Sequence, residues 1–194
     1  MANTARALSE VVSSSVPTED ERLMAKLQEF AKNLLKNIEA TGIAIAWRQS
    51  ELGALICVAS AGKKAPPTGA YVDPNSGISG RCVRECRTQK SYDTLIDPRV
   101  DPLVCKKLRI RSVAVVPFLS RSQCIGLIEA FSDRPGHFDP ATVQMIEDAA
   151  ISARLLLERG GDESSGAHAS IAAPAPAFPN GNRMPRDLVK AAGR

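Results

Sequence analysis

The chain has 194 residues, 44% of them apolar and 4% aromatic, with a formal net charge of +4. That suffices for one domain with extensions, its core built mainly from Ala, Val, Leu and Ile. No apolar run approaches the ~20 residues that span a bilayer, the first residues lack the apolar block of a secretory signal, and the charge excess is too mild to indicate nucleic-acid binding.

Residues 1–16 are rich in Ser, Ala and Thr and read as disordered. Thr18 and Glu21 have the spacing of a capping box, and Leu23, Leu27, Phe30, Leu34 and Ile38 recur at helical intervals. This predicts a helix to about Ala40, stopped by Gly42. Ile43–Trp47 alternates large and small residues, as a strand with one face in a core does. Gln49–Gly53 reads as a turn into a partner strand, Leu55–Ala59, and 62–74 as a loop rich in Gly, Pro and Asp. Ser79–Thr88 predicts a short helix and Ser91–Thr94 a short strand. Asp101-Pro102 opens a second short helix through Leu108.

Ser112–Phe118 and Cys124–Phe131 are the clearest strands, joined by a polar turn at Ser120–Gln123. Gly126, inside the second, marks a bulge or a close approach of backbone. Asp139-Pro140 caps a last helix to about Glu158, with Val143, Ile146, Ala150, Ala153 and Leu157 along one side. Met145, Ala149 and Leu156 broaden that side. From residue 160 to 194 the composition turns to Gly, Ser, Ala and Pro, as in a flexible tail. The fold class is therefore α+β: an antiparallel sheet, terminal helices on one face, and an excursion over 77–110 capping the other.

Several pieces, in this order and spacing, resemble the GAF domain family. They are Ser76-Gly77-Ile78-Ser79-Gly80, Asp97-Pro98-Arg99, Arg111-Ser112-Val113 with Val116-Pro117, Ile125 through Phe131, and Phe138-Asp139. The resemblance spans about Asp20–Arg159 and divides the chain into residues 1–16, a domain over 17–159, and a tail over 160–194. It implies a small-molecule sensor without catalytic activity, its ligand seated between sheet and cap, dimerising through the terminal helices. On it, Trp47, Ile78, Arg81, Cys82, Asp97, Arg99, Cys105 and Val115 are the candidate ligand-binding residues. No catalytic or metal-binding residue and no cofactor is specified. The Asn-Lys-Phe-Asp-Glu pattern of cyclic-nucleotide members is not visible, and no cysteine precedes a histidine as tetrapyrrole attachment requires. His137 and His168 are poorly placed for a haem.

Two features of the residues themselves sharpen this. Between Arg81 and Arg111 stand nine basic residues against four acidic ones, Glu85, Asp93, Asp97 and Asp101, which favours an anionic ligand; the alternative is a solvated face on which Arg81 pairs with Glu85. The five cysteines, Cys57, Cys82, Cys86, Cys105 and Cys124, are an odd number without a CxxC pair, usage that fits reduced thiols in the cytoplasm. Cys82 and Cys86 lie one helical turn apart and the family resemblance puts Cys105 toward the same region, so a redox sensor is an alternative if a thiol is acidified by the arginines. The other alternative is a relative of the free methionine-(R)-sulfoxide reductases. There Cys105 stands where the resemblance puts a catalytic cysteine, but Ser79 replaces another. The expected partners are a second copy of the chain and a downstream signalling protein, with neither nucleic acid nor membrane. No output domain is expected within the sequence.

Overall fold

The computed structural model describes residues 18–48 and 54–162. The expectations for residues 1–16, for the turn at 49–53 and for the tail from 163 onward lie outside the described residues. The elements run α1 (Glu19–Asn37), β1 (Gly42–Arg48), β2 (Leu55–Ala61), β3 (Tyr71–Val72), α2 (Gly77–Glu85), β4 (Gln89–Ser91), α3 (Pro102–Leu108), β5 (Ser112–Ser120), β6 (Gln123–Ser132) and α4 (Pro140–Asp162). The six strands form one sheet in the order β3-β2-β1-β6-β5-β4, every neighbouring pair antiparallel.

The capping box forms as its spacing predicts. Glu21 N–H donates to Thr18 Oγ1 at 3.2 Å and Thr18 N–H to Glu21 Oε2 at 2.8 Å, satisfying two donors at the start of α1. Thr18→Ala is expected to cost about 1 kcal/mol, read as a lower urea midpoint at unchanged slope. An unchanged midpoint would show that the cap contributes nothing to stability.

α1 ends earlier than expected. The helix closes at Asn37, and Glu39 takes a left-handed backbone (φ 50°) that turns the chain into β1. Gly42 is not the helix stop; it opens β1, where a Cβ would lie 2.5 Å from the Ala65 backbone nitrogen. At the other end α4 runs to Asp162, beyond the expected end near Glu158 and past the composition change at Gly160.

Both faces of the sheet are covered. Leu23, Leu27, Ala31 and Leu34 of α1 and Ile146, Ala150, Ala153 and Leu157 of α4 pack on Ile43, Ile45, Ala114, Val116, Ile128 and Ala130. Each wholly buried Leu or Ile in this layer contributes about 2 kcal/mol. On the opposite face Ala46, Leu55, Val113, Val115 and Leu127 meet Ile78, Cys82 and Val83 of α2 and Cys105 of α3. The expected one-sided β1 is thus corrected: it is central in the sheet, and its small residues Ala44 and Ala46 are buried on the cap side. Met145, expected to broaden the buried side of α4, is 44% exposed.

Pairing with the sheet also revises two minor elements. The short strand forms at Gln89–Ser91 rather than 91–94, because those residues register with Val113–Val115. Thr94 instead folds inward, its hydroxyl donating to the Ile110 carbonyl at 2.6 Å. Tyr71–Val72, inside the expected loop, adds an edge strand on Leu55–Ile56. Gly126 is a point of close approach, facing Trp47 of β1 and Phe118 of β5 in the pairing register.

Candidate functional site

The cap is held over the sheet by α2. Its residues Ile78, Ser79, Cys82 and Val83 face inward, the i, i+1, i+4, i+5 pattern of one buried helix face, while Arg81 and Arg84 face out. On the sheet below, Glu129 of β6 lies between Ala44 of β1 and Val115 of β5. Its carboxyl is buried, and Ser79 Oγ donates to Glu129 Oε1 across the gap between cap and sheet. Burial pushes the Glu129 carboxyl above the usual carboxylate range, and the Ser79 hydroxyl offsets this in part. A carboxyl held in that setting is costly, which makes Glu129 a candidate for function. Reading the sequence did not single out Glu129. The signal was there: one acid in the middle of the otherwise apolar stretch Cys124–Phe131.

The sequence-derived candidates fall into three groups. Ile78, Cys82, Cys105 and Val115 are all buried in the cap-side cluster. Arg81, Asp97 and Arg99 belong to the rim. Arg81 Nε meets Glu85 Oε1 at 2.7 Å on the outer face of α2, with both side chains well exposed. Arg99 grips Asp97 with two nitrogens, Nε to Oδ1 at 2.9 Å and Nη2 to Oδ2 at 2.7 Å, and donates to the Lys90 carbonyl at 2.6 Å. That fork lowers the Asp97 carboxyl to about 2. Trp47 belongs to neither group. It packs on the helix side of the sheet, its ring centroid 6.3 Å from that of Phe118, because it shares the parity of Ile43 and Ile45 along β1.

Four of the nine basic side chains of the cap have partners within it. Besides the two pairs above, Arg111 holds Asp93 with Nε–Oδ1 at 3.2 Å and Nη2–Oδ2 at 2.7 Å, and Arg84 donates to the Pro74 carbonyl at 2.8 Å. These arginines therefore staple loops of the cap rather than converge on a pocket.

The thiols are arranged differently from expectation. Cys82, Cys86 and Cys124 are neighbours on the cap side, whereas Cys105 sits apart, near Thr94, Asp97 and Asp101. Burial pushes the thiols of Cys82, Cys105 and Cys124 up, and that of Cys57 up to about 12, so none of these four is acidified by the arginines. His137 bridges Arg134 and the Ile38 carbonyl, tying the loop before α4 to the end of α1. Among the described residues no group of three His, Cys, Asp or Glu side chains could hold a metal, and no helix is long and apolar enough to cross a membrane.

One further contact links the cap to the terminal helices. Thr88, just beyond α2, donates its hydroxyl to Glu147 of α4 at 2.7 Å. Both line a groove of about 620 Å³ between α4 and the part of β5 that β4 does not cover, where Arg154 donates to the Leu119 carbonyl at 3.2 Å.

Among solved structures, the type II free methionine-R-sulfoxide reductase of Thermoplasma acidophilum superposes with a TM-score of 0.61 at 20% identity, covering 73% of this chain and 96% of its own. The substrate complex of the Neisseria meningitidis free methionine-R-sulfoxide reductase gives 0.63 at 19%, covering 73% and 81%. The GAF domain of an Acinetobacter phosphoenolpyruvate-protein phosphotransferase gives 0.62 at 13%, covering 74% and 86%. At these identities the likeness concerns the fold. No curated protein sequence matches significantly. The sequence pattern of the GAF domain matches residues 23–157, most of the folded part, and with the sheet order and cap described above the chain belongs to the GAF domain family.

Proposed function

We propose that this protein is a non-enzymatic sensor that takes up a small molecule between sheet and cap and signals through its terminal helices. The observation that carries this reading is Glu129, a carboxyl buried beneath α2 with the Ser79 hydroxyl against it. Because Arg81, Arg99 and Arg111 of the cap already hold carboxylates, and the buried polar group facing the sheet is an acid, the arrangement supports a ligand presenting a cationic or hydrogen-bond-donating group to Glu129, rather than the anion that the charge count favoured. Ile78, Cys82, Cys105 and Val115 supply apolar lining, and the Arg99–Asp97 pair fixes the rim. Displacing α2 would pull on Thr88 and thus on Glu147 of α4, a direct route from cap to helix.

The output surface in this reading is α4, where Ile151 (57% exposed) and Leu155 (43%) stand one turn apart on the side away from the core. A second copy covers this stripe, and a downstream signalling protein reads the dimer, in the cytoplasm, whose reducing conditions suit a chain with five free cysteines. Native mass spectrometry of freshly purified protein tests both parts. The expected result is a dimer carrying a small molecule that the Glu129→Gln protein no longer retains. A monomer at all concentrations removes the dimer, and retention independent of Glu129 removes the site.

The likeness to two reductases and the buried position of Cys105 in the cap keep an enzymatic reading in view. Against it, Ser79 occupies the position where the resemblance expects a cysteine, and burial holds the Cys105 thiol protonated. No turnover of free methionine-R-sulfoxide with a dithiol reductant is expected; turnover lost in Cys105→Ser would replace the sensor reading.

A further inference from the structure

Cys86 and Cys124 line one cleft of about 320 Å³, together with Arg48, Val83, Ser122 and Gln123. Cys86 ends α2 and Cys124 lies at the start of β6, so the fold alone brings them together. The two differ in access: Cys86 is half-buried, whereas Cys124 is buried. Cys86 also adopts a left-handed backbone (φ 51°), a conformation that glycine or asparagine takes at lower cost. Cys82, one turn earlier on α2, belongs to the same apolar cluster and donates to the Val115 carbonyl at 3.7 Å.

The lining of the cleft includes the Arg48 guanidinium, whose Nη2 donates to the Cys124 carbonyl at 3.1 Å. The more accessible sulfur is the one an oxidant reaches first. The ligand seat around Glu129 and Ser79 makes no use of this cleft.

We propose that Cys86 and Cys124 form an oxidisable dithiol that a hydroperoxide converts to a disulfide. The Cys86 thiolate attacks one oxygen of the peroxide, the O–O bond breaks, and the departing alkoxide or hydroxide takes up a proton. Cys86 is left as a sulfenic acid. The Cys124 sulfur, its proton passing to solvent, then attacks the Cys86 sulfur. The S–S bond forms, the S–O bond breaks, and hydroxide leaves as water. In sum two thiols lose two electrons and two protons, and the peroxide is reduced to water and an alcohol, or to two waters. The resulting bridge ties the C-terminal end of α2 to the start of β6, fixing the cap against the sheet.

The test uses the full chain, reduced and freed of reductant, treated with an equivalent of hydrogen peroxide, alkylated, and mapped by peptide mass spectrometry. The expected product is one linked peptide pair joining Cys86 to Cys124, lighter by two hydrogens, with Cys57, Cys82 and Cys105 alkylated. Cys124→Ser is expected to accumulate a Cys86 sulfenic acid trapped by dimedone. Cys86→Ser is expected to slow oxidation of Cys124 by at least about tenfold. A Cys82–Cys86 or Cys82–Cys124 bridge, an intermolecular bridge, or five thiols that all stay alkylatable would each overturn the proposal, and the wild-type map alone decides it should a variant fail to fold.

Discussion

Glu129→Gln should stabilise the protein, and by a margin that widens as pH rises. The Glu129 carboxyl is wholly buried on the cap face of the sheet, and burial raises it above its ordinary value. The folded state therefore holds a proton that the unfolded chain releases once pH exceeds the usual glutamate range. The stabilisation tied to that proton is fully present below the unfolded value and is lost as pH climbs through the folded one. Across that window the wild-type protein loses up to about 1.4 kcal/mol per pH unit that glutamine does not. Asp93, Asp97 and Asp139 shift the opposite way, but they are common to both proteins and cancel in the difference. Urea unfolding of both proteins at pH 5, 6, 7 and 8 reads the effect. Parallel pH profiles would mean that Glu129 is not proton-linked to folding, and would remove the physical basis for placing a ligand there. Stability gained where ligand retention is lost is the trade expected of a residue kept for function.

Gly126→Ala is expected to act in the other direction, costing about 3 kcal/mol through overpacking. An added Cβ would lie 2.5 Å from Cδ2 of Phe118, 2.6 Å from the Ala46 carbonyl oxygen and 3.0 Å from Cε3 of Trp47. Phe118 is buried in the helix-side core and cannot swing away freely, and the Ala46 oxygen is backbone of the paired strand β1. Relief requires β1 and β6 to part where the sheet is central. Trp47 is the chain's single tryptophan, so its fluorescence reports this spot during thermal unfolding. A melting temperature equal to wild type would show that the sheet yields at this point at no cost.

The elements that could be read along the chain are those whose cause is local. The Thr18–Glu21 cap, the proline after Asp101, the proline after Asp139 and the turn before β6 each rest on contacts between residues close in sequence. Strand β4 and edge strand β3 could not be read so. Gln89–Ser91 has little strand character of its own, and Tyr71–Val72 is only two strand-favouring residues within a stretch rich in Gly and Pro; they form because Val113–Val115 and Leu55–Ile56 offer them hydrogen bonds. For the candidate site, the sequence marked Ile78, Cys82, Cys105 and Val115, which fall in the cap-side cluster, but strand parity sends Trp47 to the other face, and Glu129 went unmarked. The basic cap showed its charge in the sequence and not its pairing, since Arg111 with Asp93 and Arg99 with Lys90 meet through loops.

By itself, the sequence determined the fold class, the order of the main elements, their caps and the family, because periodicity and capping are properties of neighbouring residues. Tertiary structure alone decided that Ser79 meets Glu129, that Arg111 of the cap holds Asp93, and that Cys124 rather than Cys105 neighbours Cys82 and Cys86. Each of those outcomes depends on which face of a strand or helix a side chain occupies once the sheet is assembled. The free energy that sets the face comes from burial summed over the whole core, which no local pattern records.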